Sequence, residues 1–96
     1  MKLVWTKRAR VRLEEILNYI EEEFGRTARD EFRARTKDFT KLLVEFPEIG
    51  TVEVKKRGVR GFPISKQTRL FYQIRKNRIT ILTLFDSRQD PRKRPR

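Results

Sequence analysis

The sequence predicts an α+β fold: an N-terminal strand, an antiparallel helical hairpin, and a small, mainly antiparallel sheet, in the order β-α-α-β-β-β. Three observations lead there. Up to Phe46 the apolar residues recur with a helical period, and beyond Gly50 they alternate with a period of two. The two regions are segregated along the chain, so the helices share one face of the sheet instead of crossing between parallel strands. At 96 residues the chain supports one core. With 40% charged and 36% hydrophobic residues, that core leans on seven Phe, two Tyr and one Trp, each covering much area from one position.

Leu3–Val4–Trp5 reads as a short strand. Thr6 suits an N-cap, and Ala9, Leu13, Ile16, Leu17, Ile20 and Phe24 form one face of the first helix, which Gly25 stops. Thr27 then opens a second helix, with Asp30 completing a Thr-x-x-Asp capping signature. Its apolar stripe is Ala28, Phe32, Phe39, Leu42, Leu43 and Phe46, and Pro47 closes it. A link of two or three residues folds the helices back on each other. The Glu21–Glu22–Glu23 run and the Arg29, Arg33, Lys37 row read as solvated faces.

In the second half, Val52 and Val54 alternate with charged residues in a strand, and Arg57–Gly58 marks a turn. Phe62–Pro63–Ile64 is a short strand whose proline argues for an irregular or edge position. The strongest strand signals are Leu70–Ile74 and Ile79–Phe85, joined by a tight Lys76–Asn77 hairpin. Residues 1–90 make a single domain, and residues 91–96, with two prolines and four basic residues, a mobile basic tail.

Charge and composition bound the function. The chain holds 25 Lys+Arg against 13 Asp+Glu, a net charge of +12. Residues 1–51 carry 11 basic and 10 acidic side chains (+1), and residues 52–96 carry 14 and 3 (+11). Such one-sided charge attracts polyanions, nucleic acid or acidic protein, and solubility alone does not require it. With no Cys and no His, zinc sites, thiol nucleophiles, disulfides and histidine acid–base chemistry are excluded. No metal or other cofactor is expected. No apolar run spans a bilayer and the N-terminus lacks a signal-peptide core, so the expectation is a cytoplasmic protein without a membrane partner.

On the strand from Arg69 to Arg75, Leu70, Tyr72 and Ile74 share the natural core face, while Arg69, Phe71, Gln73 and Arg75 share the open one. Arg60 and Lys66 flank the preceding strand, and Asp86 and Arg88 follow the last. Basic residues around an open sheet with an aromatic among them suit phosphates and a stacked base. Lys55, Lys56, Lys66, Phe71, Arg75 and Arg88 are therefore the candidate nucleic-acid contacts. The competing reading is a solvated sheet edge guarded against aggregation.

Four motifs carry a family resemblance. The first helix has Trp5-x₃-Ala9-x₃-Leu13-x₂-Ile16-x₂-Tyr19-Ile20, and the second leaves through Leu42-x₃-Phe46-Pro47-x₂-Gly50. Arg60-x-Phe62-x-Ile64 followed by Arg69-Leu70-Phe71-Tyr72-x-Ile74 is the third, and the fourth runs from Ile79 through Phe85-Asp86-x-Arg88-Gln89-x-Pro91. In this order they resemble RelE/ParE-type toxins of bacterial toxin–antitoxin pairs over nearly the whole chain. The resemblance implies a toxin neutralised by a cognate acidic antitoxin whose C-terminal segment wraps it and masks basic residues.

It also implies one of two targets: mRNA cut on the ribosome, or DNA gyrase bound without any cleavage. For the nuclease, Arg69 resembles the phosphate-stabilising arginine of YoeB-type members, Arg60 would be a second clamp one strand earlier, and Asp86 is the remaining candidate for proton transfer. The sequence departs from that pattern after the last strand, where nuclease members commonly place His or Tyr and this chain has Asp86–Ser87. Asp86 paired with Arg88 also reads as a structural pin on the strand end. A plain basic nucleic-acid-binding module is the remaining alternative.

Overall fold

A computed structural model describes residues 1–89, so the expected tail at 91–96 lies outside the described residues. Strand β1 (Lys2–Trp5) leads into helices α1 (Lys7–Phe24) and α2 (Arg26–Glu45). Strands β2 (Thr51–Val54), β3 (Val59–Pro63), β4 (Thr68–Arg75) and β5 (Arg78–Asp86) follow. They form one sheet in the order β1-β5-β4-β3-β2, antiparallel except where β1 runs parallel to β5. The class is the α+β arrangement expected, with four strands after the helices instead of three, because the Val52 and Phe62 segments both pair.

Thr6 caps α1 as its sequence position requires. Its Oγ1 accepts from Ala9 N–H (3.1 Å), and its hydroxyl lies 2.9 Å from the Ile81 carbonyl. The helix start is thereby tied to β5. Next to that contact β5 bulges: Phe71 faces Thr83 but Tyr72 faces Ile81, leaving Leu82 as the extra residue. The bulge switches the parity of β5, so that Ile79 and Ile81 before it and Leu84 and Asp86 after it all point at the helices and are buried.

The expected cap of α2 is not used. Gly25 alone links the helices, at φ +93°, and no side chain caps α2. The one-residue reversal starts α2 at Arg26, which puts Thr27 inside the first turn, and Asp30 pairs with Arg29 instead (3.2 Å). Arg29 also bonds Glu21 across the link, so this part of the solvated row ties the hairpin together. Phe32, Phe39 and Leu43 are buried as expected, but Phe24, Leu42 and Phe46 are exposed. Thr36 is buried in their place, its hydroxyl donating to the Phe32 carbonyl (3.0 Å).

Proline does not put β3 at an edge. The strand lies between β4 and β2, and its Phe62 stacks on Phe39 of α2 with centroids 4.3 Å apart. Pro63 is the last residue of β3, beyond the end of β2, whose pairing stops at Gly61. No β2 carbonyl there needs the missing N–H. Lys76 and Asn77 both take positive φ (49° and 61°), the twist a two-residue hairpin demands. Among the described residues no helix is long and apolar enough to cross a membrane.

Candidate functional site

Residues directly opposite in a sheet share a face, so the register places each candidate side chain. Arg60 lies opposite Tyr72, which is fully buried beneath the helices. Arg60 is therefore on the covered face. Its guanidinium donates to the carbonyls of Glu48 (3.1 Å) and Gly50 (2.7 Å) and faces the Glu48 carboxylate at 3.5 Å. The Tyr72 hydroxyl donates to the Pro47 carbonyl (2.7 Å) and accepts from Gly50 N–H (2.8 Å). Burial raises the Tyr72 pKa against the opposing pull of the Gly50 N–H, which keeps the phenol a proton donor. Together the two side chains clamp the 47–50 loop that leads from α2 to β2.

A second polar cluster on this face centres on Asp86. Its side chain is fully buried and accepts from Thr68 Oγ1 (2.7 Å), Arg88 N–H (2.9 Å), Arg88 Nε (3.0 Å) and Arg88 Nη2 (2.6 Å). Burial alone would raise its pKa, but the bonds from Arg88 and Thr68 outweigh it and hold the carboxyl below its ordinary value. A carboxylate so held is a weak base, and both its oxygens are engaged. The Arg88 guanidinium in turn lies 5.4 Å from the Tyr19 ring centre and 5.8 Å from that of Phe24. Arg88 thus joins the end of β5 to α1. Beside it an open groove of about 410 Å³ runs between Phe24, Ala28, Phe32 and the β3–β4 loop residues Ser65 and Gln67.

Arg69 is on the other face. It lies opposite Pro63 and Phe85 and reaches across β3 to the Glu53 carboxylate on β2 at 2.8 Å. Its path crosses Gly61, where a Cβ would meet Arg69 Nε at 2.8 Å. A glycine is what lets the guanidinium lie flat on the strand. Phe71, expected to be uncovered, is half-buried, with the Arg69 guanidinium 5.9 Å from its ring centre. The clamp of Arg60 and Arg69 inferred from their adjacent strands is therefore not formed. The sheet separates them, one on each side, because their register positions differ in parity.

The remaining candidates divide as well. Lys55 and Lys56 sit in a 3₁₀ turn between β2 and β3, at the same end of the sheet as Arg75. Lys66 is in the loop at the opposite end, and Arg88 is on the covered side. Lys2, Arg57 and Arg78 join the first group, though sequence reasoning passed over them. The signal lay in the pairing of β1 with β5, which one strand alone does not reveal. Among the described residues no group of three His, Cys, Asp or Glu side chains is placed to hold a metal ion.

Comparison with solved structures places this arrangement. A chain of the chromosomal ParDE toxin–antitoxin system of P. aeruginosa superposes with a TM-score of 0.75 at 21% identity, covering 90% of this chain and 95% of that one. A YoeB/ParE toxin from Agrobacterium tumefaciens follows with a TM-score of 0.62 at 15% identity, covering 90% and 98%. A chain of the heterotetrameric YoeB–YefM complex from Staphylococcus aureus gives 0.57 at 13% identity, covering 88% and 94%. No curated protein sequence matches. These likenesses establish the fold. The sequence profile described as the ParE toxin of type II toxin–antitoxin systems, parDE, matches residues 3–91. With that match over almost all of its length, this chain belongs to the ParE toxin family of type II toxin–antitoxin systems.

Proposed function

We propose that this toxin disables its target by binding and not by cutting RNA, with DNA gyrase as that target, and that an acidic antitoxin neutralises it. The observation that supports a non-catalytic reading is the division of the three candidate catalytic residues. Arg60 and Arg69 lie on opposite faces of the sheet, so one scissile phosphate does not reach both. Asp86 is buried in its own ion pair with a lowered pKa, the reverse of what a general base near neutral pH needs. A binding inhibitor needs none of these groups.

The antitoxin follows from charge and from exposed apolar surface. Leu42, Phe46 and Ile49 at the end of α2, with Val52 on the edge strand β2, are all exposed. An acidic segment that folds on binding would cover these side chains while its carboxylates meet the basic half of the chain. Supercoiling of relaxed plasmid by purified gyrase is the test. The expected result is inhibition by the toxin, relieved by a stoichiometric antitoxin. Normal supercoiling together with a message cut at defined sites in a translation extract would overturn the reading.

A further inference from the structure

One end of the sheet gathers cations from three separate segments of the chain. There β1 begins and both hairpin turns, β2–β3 and β4–β5, are found. Lys2 lies opposite Arg78, and Arg78 opposite Arg75, so three cations stand in register across β1, β5 and β4 on the open face. Lys76 follows in the β4–β5 turn. Lys55, Lys56 and Arg57 form the β2–β3 turn, which is held against the open face by a bond from Gln73 Nε2 to the Arg57 carbonyl (2.6 Å). All of these side chains are exposed, and among the described residues none forms an ion pair. Glu48 and Glu53, on the loop before β2 and on β2 itself, pair with Arg60 and Arg69.

Like charges directly opposite each other weaken a sheet. Guarding an edge against aggregation would account for Lys2 on β1, but Arg75 and Arg78 are on internal strands. We propose that this end of the sheet is a docking surface for the phosphate backbone of double-stranded DNA.

Three features select that partner. A peptide partner needs a cluster of apolar anchors at the centre of its interface, and the exposed apolar side chains that flank these cations, Val54 before the β2–β3 turn and Met1 before β1, stand at opposite edges of the sheet. A single strand needs rings to stack its bases, and no aromatic residue lies in either turn or in the cation row. A duplex hides its bases and presents phosphates. With strands about 4.8 Å apart, the middle of the row and the β2–β3 turn are about 12 Å apart. That is about the width of the B-form major groove, so each cluster meets one of the two backbones that flank it. An RNA duplex has a deep, narrow major groove, and its wide, shallow minor groove is the alternative that the RNA arm of the test measures.

The test uses the purified full chain without gyrase. Fluorescence anisotropy with a labelled mixed-sequence DNA duplex of about two helical turns is compared with its single strand, an RNA duplex and polyglutamate. The duplex DNA should bind tightest, with an affinity that falls steeply with salt. The triple variant Lys2→Gln, Arg75→Gln, Arg78→Gln should bind about tenfold or more weakly and lower the log–log salt slope by about 2 to 3. Lys55→Gln, Lys56→Gln, Arg57→Gln should act the same way, and thermal melts should place both variants at or above the wild type. Arg8→Gln, Arg10→Gln, Arg33→Gln removes equal charge from the helices and should leave the duplex affinity within about twofold. Equal losses in all three variants would overturn the proposal, as would preferential binding of the single strand, the RNA duplex or polyglutamate. Because no gyrase is present, failure here leaves the gyrase reading standing, and inhibition of gyrase without DNA binding leaves this one refuted.

Discussion

The covered face of the sheet and its hairpin end use the same residue types to opposite ends. Under the helices, Arg60 has two backbone carbonyls and a carboxylate around it, and Arg88 binds a buried aspartate by side chain and backbone. At the hairpin end, Arg75 and Arg78 face one another with no carboxylate in reach among the described residues. Arginine on the covered face fixes loops and strand ends, and its charge is hardly available to a partner. Arginine at the hairpin end slightly weakens the fold and is free to meet an anion. The net charge of the chain therefore describes one region much better than the other.

If that division holds, changes on the covered face should be costly and changes at the hairpin end nearly silent for stability. The largest expected effect is Tyr72→Ala, which empties a fully buried ring position and releases the 47–50 loop. It should cost about 4 kcal/mol in urea unfolding, and Tyr72→Phe, which keeps the ring but orphans Gly50 N–H, about 1 to 2 kcal/mol. Asp86→Asn comes next, at about 2 to 3 kcal/mol, reduced from a fully buried pair because Arg88 is partly exposed.

The same residue gives a pH signature. The folded-state pKa of Asp86 lies below its unfolded value, so its contribution is complete above the unfolded pKa of about 4 and disappears as pH falls through the folded value. Asp86→Asn should flatten the stability–pH curve below about pH 4 and leave its slope near neutrality unchanged. Gly61→Ala is smaller. The added methyl displaces Arg69 from Glu53, costing within about 1 kcal/mol because that pair is about a third exposed. Its readout is the Arg69–Glu53 coupling in a double-mutant cycle, which should vanish in the alanine background. The smallest effect belongs to Arg78→Gln, a change of about 0 to 0.5 kcal/mol in the stabilising direction, measured by the same unfolding assay.

Much of the fold was legible in the chain because local and global preferences agree. Thr6 as a cap, Lys76–Asn77 as a turn and Tyr72 as a core residue follow from hydrogen-bonding capacity, allowed φ and alternation. The misreadings arise where tertiary geometry overrides a local rule. Gly25 reverses the chain in one residue, so Thr27 has no cap to make, and Pro63 ends an internal strand just past its neighbour. Sites are harder still, because they depend on parity. Arg60 and Arg69 are on adjacent strands, and only the register reveals that a sheet divides them. The cation row is invisible for the same reason: Lys2 meets Arg78 through a pairing that spans almost the whole chain.

Mapping RNA 5′ ends in a translation extract that contains the purified toxin distinguishes a toxin that only binds from one that cuts. The expected result is the same ends as in the untreated extract at toxin concentrations that block supercoiling by gyrase. New ends at defined positions in the message, present with wild type and absent with Arg69→Ala or Arg60→Ala, would contradict it.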